Sequence, residues 1–224
     1  MKIKTLMGIA AAAAVLLTLP ALAQQPWEVA LQQRHDALVA KNGPGTDAAL
    51  RDRLLAMGKE DQGVRFRSSN APADQKNATA AELSAVDHKL TEELRDIYAA
   101  HGWPTIQMVG YDASQAAIVI LTHSPDHVFQ RALLPRLESL AQADRIDGAQ
   151  VAVAVDKELV SEGKLQRYGS QFKFVDGQAM MIAVEDSANL DKRRAEVMLP
   201  PMDAYRKQLG EMFHVPVSDM IVRP

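Results

Sequence analysis

Apolar side chains recur at intervals of three and four residues over most of the chain, and this spacing places them on one face of an α-helix. In the clearest example the apolar positions are Leu83, Val86, Leu90, Leu94 and Ile97. Thr79 and Glu82 form a T-x-x-E capping box, so we expect this helix to begin near Thr79. It is expected to end before Gly102 and Pro104, which break helices.

The same periodicity predicts several more helices. They cover residues 27–39, 46–57, 112–123, 124–140, 151–159, 187–199 and 202–213. Thr46, Asp112 and Ser124 are the predicted N-caps, because short polar side chains accept hydrogen bonds from the first turn of a helix. The apolar run over residues 116–121 contains three β-branched side chains and could instead form a buried strand, but the cap at Asp112 favours a helix.

The pattern changes to a strand type after residue 166. Two β-prone runs flank Asp176-Gly177, and both turn residues tolerate the positive φ that a type I′ hairpin turn requires. The sequence therefore predicts a mainly α (α+β) fold: a compact helical domain with one β-hairpin near residues 168–184.

The first residues have the three parts of a cleavable signal peptide. Lys2 and Lys4 give a basic start, residues 6–19 are almost wholly apolar, and residues 21–23 read Ala-Leu-Ala. The alternative is a retained membrane anchor. Against it, the apolar stretch has 14 residues, whereas a membrane span takes roughly 18 or more. We expect cleavage before Gln24 and a periplasmic or secreted protein from a bacterial type of cell.

The predicted organisation has four parts. A signal peptide over residues 1–23 precedes an N-terminal helix and loop over 24–45, a single globular domain over 46–214 and a C-terminal tail over 215–224. The mature chain retains 23 basic and 28 acidic side chains, a net charge of −5. Because nucleic-acid binding needs clustered basic residues, we expect no nucleic-acid partner, and no stable membrane insertion after cleavage.

The chain contains no cysteine. This composition excludes disulfides, thiolate catalysis and cysteine-ligated metals. No phosphate-binding loop, dinucleotide fingerprint or nucleophile elbow is present either, so no cofactor is expected.

Several polar motifs occur in a fixed order. They are Asp61-Gln62 with Arg65, HGWP at residues 101–104, His123 after an apolar run, QRYGSQ at residues 166–171, and the pair Arg193-Arg194. This ordered set resembles an uncharacterised bacterial domain family of unknown function. The resemblance spans about residues 54–205, and it implies an architecture and a set of positions without an activity.

His123 is the candidate for acid–base catalysis, because imidazole titrates near neutral pH and this residue follows an apolar run. The structural alternative is a histidine that caps a helix end. His127 completes an H-x-x-x-H spacing that suggests a metal site. We expect no metal there, since Ser124 and Pro125 begin a new helix between the two histidines.

Two arginine sites are candidates for ligand binding. Arg65 is four residues from Asp61, so the pair could be a surface ion pair, or Asp61 and Gln62 could orient Arg65 toward an anionic group. Adjacent helix residues point about 100° apart. Of Arg193 and Arg194, therefore, at most one should enter a given site, and the other should be solvated.

Three further polar or aromatic residues complete the binding candidates. Trp103 is expected to fill the core after the long helix, with ligand stacking as the alternative. Strand alternation places Tyr168 on the face of Phe172 and Phe174, and Gln171 on the opposite face.

Two classes of function fit these features. The first is a ligand-binding or interaction domain whose partner is an unknown small molecule or protein. The rival is a small hydrolase or transferase, in which His123 is the general base and Arg65 or Arg193 holds an anionic group. The rival requires Asp61, Arg65, His123, Gln171 and Arg193 or Arg194 to line one pocket.

Overall fold

The computed structural model describes residues 25–224. Contacts divide this part of the chain into two compact units. Ala37–Asp147 form the first, here named the helical unit, and residues 25–36 with Gly148–Pro224 form the second, the sheet unit. The predicted signal peptide over residues 1–23 lies outside the described residues. The single domain predicted over residues 46–214 stays a prediction.

The helical unit contains four complete helices and one short one. They are α2 (Ala48–Ser69), α3 (Lys76–His101), α4 (Ile106–Val109), α5 (Tyr111–His123) and α6 (His127–Gln142), while α1 (Pro26–Asn42) begins before the unit and ends inside it. Helix α5 packs against α2, α3 and α4, and α2 also packs against α3. The central position of α5 explains why most of its residues are apolar.

Residues 116–121 are helical, as the cap argument favoured, because they lie in the middle of α5. Ala117, Ile118 and Leu121 are fully buried there. A helix that is covered by neighbours on most sides needs apolar residues around its circumference, so its sequence resembles a buried strand.

Helices α2 and α5 approach each other closely at Gly58. A Cβ atom on this residue would lie 2.9 Å from the Cβ of Ala116. Glycine therefore permits the contact between the two helices, and α2 continues through Gly58 and Gly63 to Ser69.

The predicted N-caps of α2 and α6 are wrong by one and two residues. Asp47 caps α2 by accepting a hydrogen bond from the backbone N–H of Leu50 at 2.9 Å. Asp126 caps α6 by accepting from the backbone N–H of Phe129, also at 2.9 Å. In both cases a carboxylate replaces the predicted hydroxyl, because a negative charge also interacts favourably with the positive end of the helix.

The other two predicted helix starts also differ. Helix α3 begins at Lys76, and the hydroxyl of Thr79 donates to the carbonyls of Gln75 and Lys76 instead of capping. Helix α5 follows Gly110, whose φ of 81° lies in the left-handed region, and Asp112 belongs to the first turn.

Besides the first part of α1, the sheet unit contains three helices and a small sheet. Its elements are α7 (Gly148–Ser161), β1 (Phe172–Val175), β2 (Gln178–Ile182), α8 (Leu190–Glu196), α9 (Met202–Phe213) and β3 (Val217–Val222). Strands β1 and β2 are antiparallel, and Asp176 and Gly177 between them have φ values of 49° and 77°. The predicted hairpin is thereby confirmed.

Strand β3 corrects the prediction of a C-terminal tail over residues 215–224. It pairs in parallel with β2, so the sheet has the order β1-β2-β3. The register shifts between Met180 and Met181, because Ser218 faces the first and Ile221 the second. The sequence pattern did not indicate this strand, since Ser218 and Asp219 interrupt its apolar alternation.

The sheet covers an apolar core of its own. The buried members are Phe172, Ala179, Met181, Leu190, Met202 and Leu209. Nine helices and three strands in residues 25–224 confirm the predicted mainly α fold with some β structure. None of the helices in that range is both long enough and apolar enough to span a membrane.

Candidate functional site

His123 is the last residue of α5 and is held there by the following turn. The buried side-chain amide of Gln130 donates to the carbonyls of Leu121, Thr122 and Ser124 at 2.6, 3.2 and 3.1 Å. A helix leaves its last carbonyls without intrahelical partners, so one glutamine from α6 satisfies this end of α5. The turn fixes the direction in which the His123 side chain leaves the helix.

Polar side chains from two other helices contact His123 directly or through one intervening side chain. Asp61, Gln62 and Arg65 come from α2 and Asp87 comes from α3. Together with His123 they form what we name the His123 cluster. Asp61 is the most buried member, with a side chain that is 1% exposed.

The Asp61 carboxylate faces the imidazole ring edge. Its Oδ1 and Oδ2 atoms lie 2.9 and 3.1 Å from His123 Nδ1. The side-chain amide of Gln62 donates to the same carboxylate, with its Nε2 at 2.7 Å from Asp61 Oδ2. Asp61 therefore accepts hydrogen bonds on both oxygens.

Arg65 contacts three members of the His123 cluster. Its Nε atom lies 3.1 Å from Asp61 Oδ1 and 2.8 Å from His123 Nδ1, and its Nη2 donates to Asp87. Nδ1 cannot both donate to the carboxylate and accept from the guanidinium. We assign the proton to Nδ1, because an unprotonated Nδ1 would turn its lone pair toward two carboxylate oxygens. The Arg65 Nε–H then serves Asp61.

The surroundings of Asp61 lower its pKa. Burial alone would raise the pKa of this carboxyl group. The hydrogen bond and charge of His123, the charge of Arg65 and the hydrogen bond from Gln62 outweigh burial and hold the pKa below its usual value. Asp61 is therefore ionised at neutral pH and can accept the Nδ1 proton.

The opposite nitrogen of the imidazole remains available. Within residues 25–224, His123 Nε2 makes no hydrogen bond, and the side chain is 9% exposed. A protonated Nδ1 places the lone pair of the neutral ring on Nε2. The cluster can therefore accept a proton at a defined, mostly enclosed atom.

The QRYGSQ motif lies in the sheet unit, where it forms a segment named here the 166–171 loop. Its backbone is held by Asp156 of α7, which accepts from the N–H groups of Arg167, Tyr168 and Ser170 at 2.6, 2.9 and 2.9 Å. The hydroxyl of Ser170 donates to the same carboxylate at 2.9 Å. Burial raises the pKa of Asp156, and these hydrogen bonds act in the opposite direction.

The two glutamines of the 166–171 loop have different surroundings. Gln166 is fully buried, donates to the carbonyls of Gln171 and Ile182, and accepts from the backbone N–H of Gln171. The half-buried side chain of Gln171 donates to Ser170 Oγ at 3.0 Å. Tyr168 is half-buried. Gln166 and Asp156 thus fix the shape of the loop.

The double arginine of α8 corrects the expectation that one of the two is solvated. Arg194 is fully buried, donates to the carbonyls of Pro200 and Tyr168 at 2.7 and 2.6 Å, and stacks over the ring of Tyr205. Burial lowers its pKa. Arg193 pairs with Asp186 at 3.0 Å and donates to the carbonyl of Arg167. Both arginines donate to backbone carbonyls of the sheet unit.

Trp103 lies in the core of the helical unit, where it is 5% exposed, as its position before Pro104 suggested. Its indole N–H is buried and has no hydrogen-bond partner within the described residues. A role in stacking on a ligand stays a prediction.

Residues 48–218 match the model of a family of unknown function, DUF6624. The chain belongs to this family. The match confirms the family membership inferred from the ordered motifs, and it includes all of the His123 cluster, Asp156 and the 166–171 loop. No match was found among curated proteins or among solved structures.

The predicted site residues of this DUF6624 member divide between the two units. Asp61, Gln62, Arg65, Trp103 and His123 lie in the helical unit, and Tyr168, Gln171, Arg193 and Arg194 lie in the sheet unit. Within the helical unit, Asp61, Gln62 and Arg65 contact each other or His123. The single pocket that would join both groups stays a prediction.

Sequence reasoning missed three residues that organise these sites, namely Asp87, Gln130 and Asp156. A signal was available for Asp156, since a charged residue follows the apolar run over residues 151–155 in a segment predicted to be a buried helix. Asp87 and Gln130 lie beside apolar positions in helices with many polar residues, and nothing in the pattern distinguishes them. His123 and His127 belong to different helices, and no group of three or more potential metal ligands occurs in residues 25–224.

Proposed function

We propose that this chain is a small hydrolase or transferase in which His123 acts as the general base. One observation carries the proposal: the Nδ1 edge of His123 faces the buried carboxylate of Asp61, and Nε2 has no hydrogen bond within residues 25–224. A general base needs a defined tautomer and an accessible lone pair, and this geometry supplies both.

In the proposed step, His123 Nε2 removes a proton from a water molecule or a hydroxyl group. The oxygen thereby becomes a better nucleophile, and the proton remains on the imidazole until it is returned to the leaving group. Asp61 stays ionised throughout and stabilises the imidazolium through the Nδ1–H hydrogen bond.

The cluster offers one further donor. Arg65 Nη1 makes no hydrogen bond within the described residues, and the Arg65 side chain is 19% exposed. Arg193 belongs to the sheet unit and is engaged by Asp186 and two carbonyls. Binding of an anionic substrate group by Arg65 or Arg193 stays a prediction, which the structure of a ligand-bound complex would test.

The test compares the mature protein with His123→Gln on a panel of small esters, phosphate esters and glycosides. If His123 is the base, turnover falls by about 10² to 10⁴-fold in the variant. His101→Gln is the matched control, since His101 is an exposed histidine at the end of α3. Equal turnover of a responsive substrate by wild type and His123→Gln contradicts the proposal.

A ligand-binding or interaction domain is the second candidate. It is favoured by Phe66, which directly follows Arg65 on α2 and is 70% exposed, and by the similarly exposed Val128 on α6. Exposed apolar side chains that form a contiguous patch are typical of surfaces that bind a partner. A ligand that binds the protein equally well before and after His123→Gln, and is never converted, favours this candidate.

We also propose that the protein is exported as a periplasmic or secreted protein. The basic start, the 14-residue apolar stretch and the Ala-Leu-Ala sequence support this proposal. Mass spectrometry of the protein purified from its native cells tests it. We expect Gln24 as the first residue, and an intact Met1 on the cytosolic protein would contradict export.

A further inference from the structure

Arg65 connects two carboxylates that lie on different helices. Its Nε lies 3.1 Å from Asp61 Oδ1 of α2 and 2.8 Å from His123 Nδ1, and its Nη2 donates to Asp87 of α3. With the proton on Nδ1, the Nε–H donates to Asp61. We propose that Asp87 is a positioning residue, which acts through Arg65 and Asp61 to keep the proton of His123 on Nδ1. The inference rests on the proposed function of His123 and deepens it.

The shape of the guanidinium group explains the connection. Its five N–H donors lie in one plane, so a carboxylate that holds Nη2 also fixes the direction of Nε. The contact with Asp87 therefore sets the orientation of the Nε–H that Asp61 Oδ1 receives at 3.1 Å. A lysine could not fix both directions with its single nitrogen.

The Asp61 carboxylate is in turn fixed by its donors. Gln62 binds Oδ2 at 2.7 Å and Arg65 binds Oδ1, so the carboxylate plane is held with both oxygens near His123 Nδ1. The order of contacts is Asp87, Arg65, Asp61 and His123. Each member orients the next by a hydrogen bond in which at least one partner is charged.

The charges of the His123 cluster fit a positioning role for Arg65 better than the holding of an anion. Asp61 and Asp87 are both in salt-bridge contact with its guanidinium. Two carboxylates around one guanidinium leave no excess of positive charge to attract an anionic ligand. The proposal therefore assigns Arg65 to the support of Asp61.

The chain contains a matched pair for comparison. Arg67 of α2 also contacts a carboxylate of α3, at 2.5 Å from Glu82 Oε1, but these side chains are 55% and 46% exposed. The corresponding exposures of Arg65 and Asp87 are 19% and 17%. Both ion pairs join α2 and α3, and neither Arg67 nor Glu82 forms a hydrogen bond or ion pair with His123.

The experiment measures the tautomer of His123 in the mature protein by long-range ¹H–¹⁵N NMR of the imidazole. The spectra are recorded at a pH at which the imidazole ring is neutral. We compare wild type with Asp87→Asn, Arg65→Lys and the control Glu82→Gln. For wild type and the control we expect the Nδ1–H form to dominate. In Asp87→Asn and Arg65→Lys we expect the ratio of Nδ1–H to Nε2–H to fall about tenfold, because a charge-assisted support is lost.

A folded Asp87→Asn variant, verified by circular dichroism, that retains the wild-type tautomer ratio would overturn the proposal. If this variant does not fold, Asp87→Glu and Arg65→Lys decide it in the same way, since Asp87→Glu should retain the wild-type ratio and Arg65→Lys should not. The proposal would also be overturned if the ratio of Nδ1–H to Nε2–H fell as far in Glu82→Gln as in Asp87→Asn. The tautomer is measured without substrate, so the outcome is independent of whether His123 proves to be the general base.

Discussion

Charged side chains buried in this protein hold other groups in fixed directions. Asp61 receives donors from Gln62, Arg65 and His123, and Asp156 receives four donors from the 166–171 loop. A buried carboxylate is tolerated where hydrogen bonds replace the water it has lost. The proposed role of Asp61 and its contribution to stability are therefore coupled, and substitutions of Asp61 need readouts that separate the two.

The contribution of Asp61 to stability should disappear in acid. The pKa of Asp61 in the folded protein is lower than the ordinary value of an aspartate, because His123, Arg65 and Gln62 stabilise its carboxylate. A group of this kind stabilises the fold above its unfolded pKa, and the contribution is lost as the pH falls through the folded pKa. We expect the difference in free energy of unfolding between wild type and Asp61→Asn to narrow from about pH 5 to about pH 2.

Urea unfolding at a series of pH values measures this difference. Asp96→Asn is the control, because Asp96 is an exposed carboxylate on α3 for which the structure gives no hydrogen bond or ion pair. If the difference in free energy of unfolding between wild type and Asp61→Asn widened toward acid, the Asp61 carboxylate would not be stabilised by its neighbours.

Loss of the Asp156 carboxylate should open the 166–171 loop. Asp156→Ala leaves the N–H groups of Arg167, Tyr168 and Ser170 without their acceptor in a buried place. We expect the free energy of unfolding to fall by about 3 kcal/mol or more, since each unsatisfied donor costs roughly 1–3 kcal/mol. Denaturant unfolding measures the loss, and amide hydrogen exchange locates it.

Glu211→Ala, on the exposed surface of α9, is the control for Asp156→Ala and should change stability little. In Asp156→Ala, hydrogen exchange at the amides of Arg167, Tyr168 and Ser170 should become faster than in wild type, by a larger factor than at the amides of β2. Unchanged protection of the three amides in Asp156→Ala would mean that another acceptor replaces the carboxylate.

Polar residues could be singled out from the sequence only where a local spacing within one helix pointed to them. Asp61, Arg65 and His123 could be proposed because a spacing of four and a position after an apolar run carry information about helix faces and ends. Asp87 could not, because its contact with Arg65 joins two helices, and single-sequence periodicity describes each helix separately. Arg194 was predicted to bind or be solvated, since sequence alone does not reveal that Tyr205 and two carbonyls enclose it.

Among the elements, the packing of α2 on α5 depends on one small residue. A Cβ atom at position 58 would be 2.9 Å from the Cβ of Ala116, so the helices would have to separate. Alanine has the better intrinsic helix propensity, by roughly 1 kcal/mol over glycine. The two effects oppose each other, and the crowding should prevail because helix α5 is packed on several sides.

A double-mutant cycle tests this contact. We expect Gly58→Ala to lower the free energy of unfolding by about 1–2 kcal/mol because of overpacking. Ala116→Gly should lower it by about 1 kcal/mol through helix propensity. The double variant should be close to wild type, since the crowding is relieved and the propensity changes cancel. Additive losses in the double variant would show that the two positions do not interact.

Element types were predictable to the extent that one local signal dominated. The hairpin followed from the Asp176-Gly177 turn, and the long helices followed from their periodicity. Helix starts were less accurate because neighbouring polar residues compete for the same cap, as Thr46 does with Asp47. Strand β3 was missed because a parallel edge strand is defined by its partner β2 and by a shifted register.

At the scale of the whole molecule, the family and the mainly α fold are established and the activity is a proposal. Family membership covers residues 48–218 and adds no reaction to the site geometry. The compartment would restrict the candidate substrates, because an exported enzyme meets a different set of metabolites from a cytosolic one. A test of export therefore also narrows the search for the substrate of the His123 site.

Substitution of the small residues before Gln24 should block processing if residues 1–23 are a signal peptide. Signal peptidases require small side chains at the positions now held by Ala21 and Ala23. In Ala21→Gln/Ala23→Gln we expect a longer product that retains residues 1–23 and fractionates with the membrane. Leu22→Gln is the control and should be processed like wild type, because the middle position of the A-x-A sequence is variable. Intact mass spectrometry distinguishes the products, and a mature chain beginning at Gln24 in the double variant would contradict cleavage at this position.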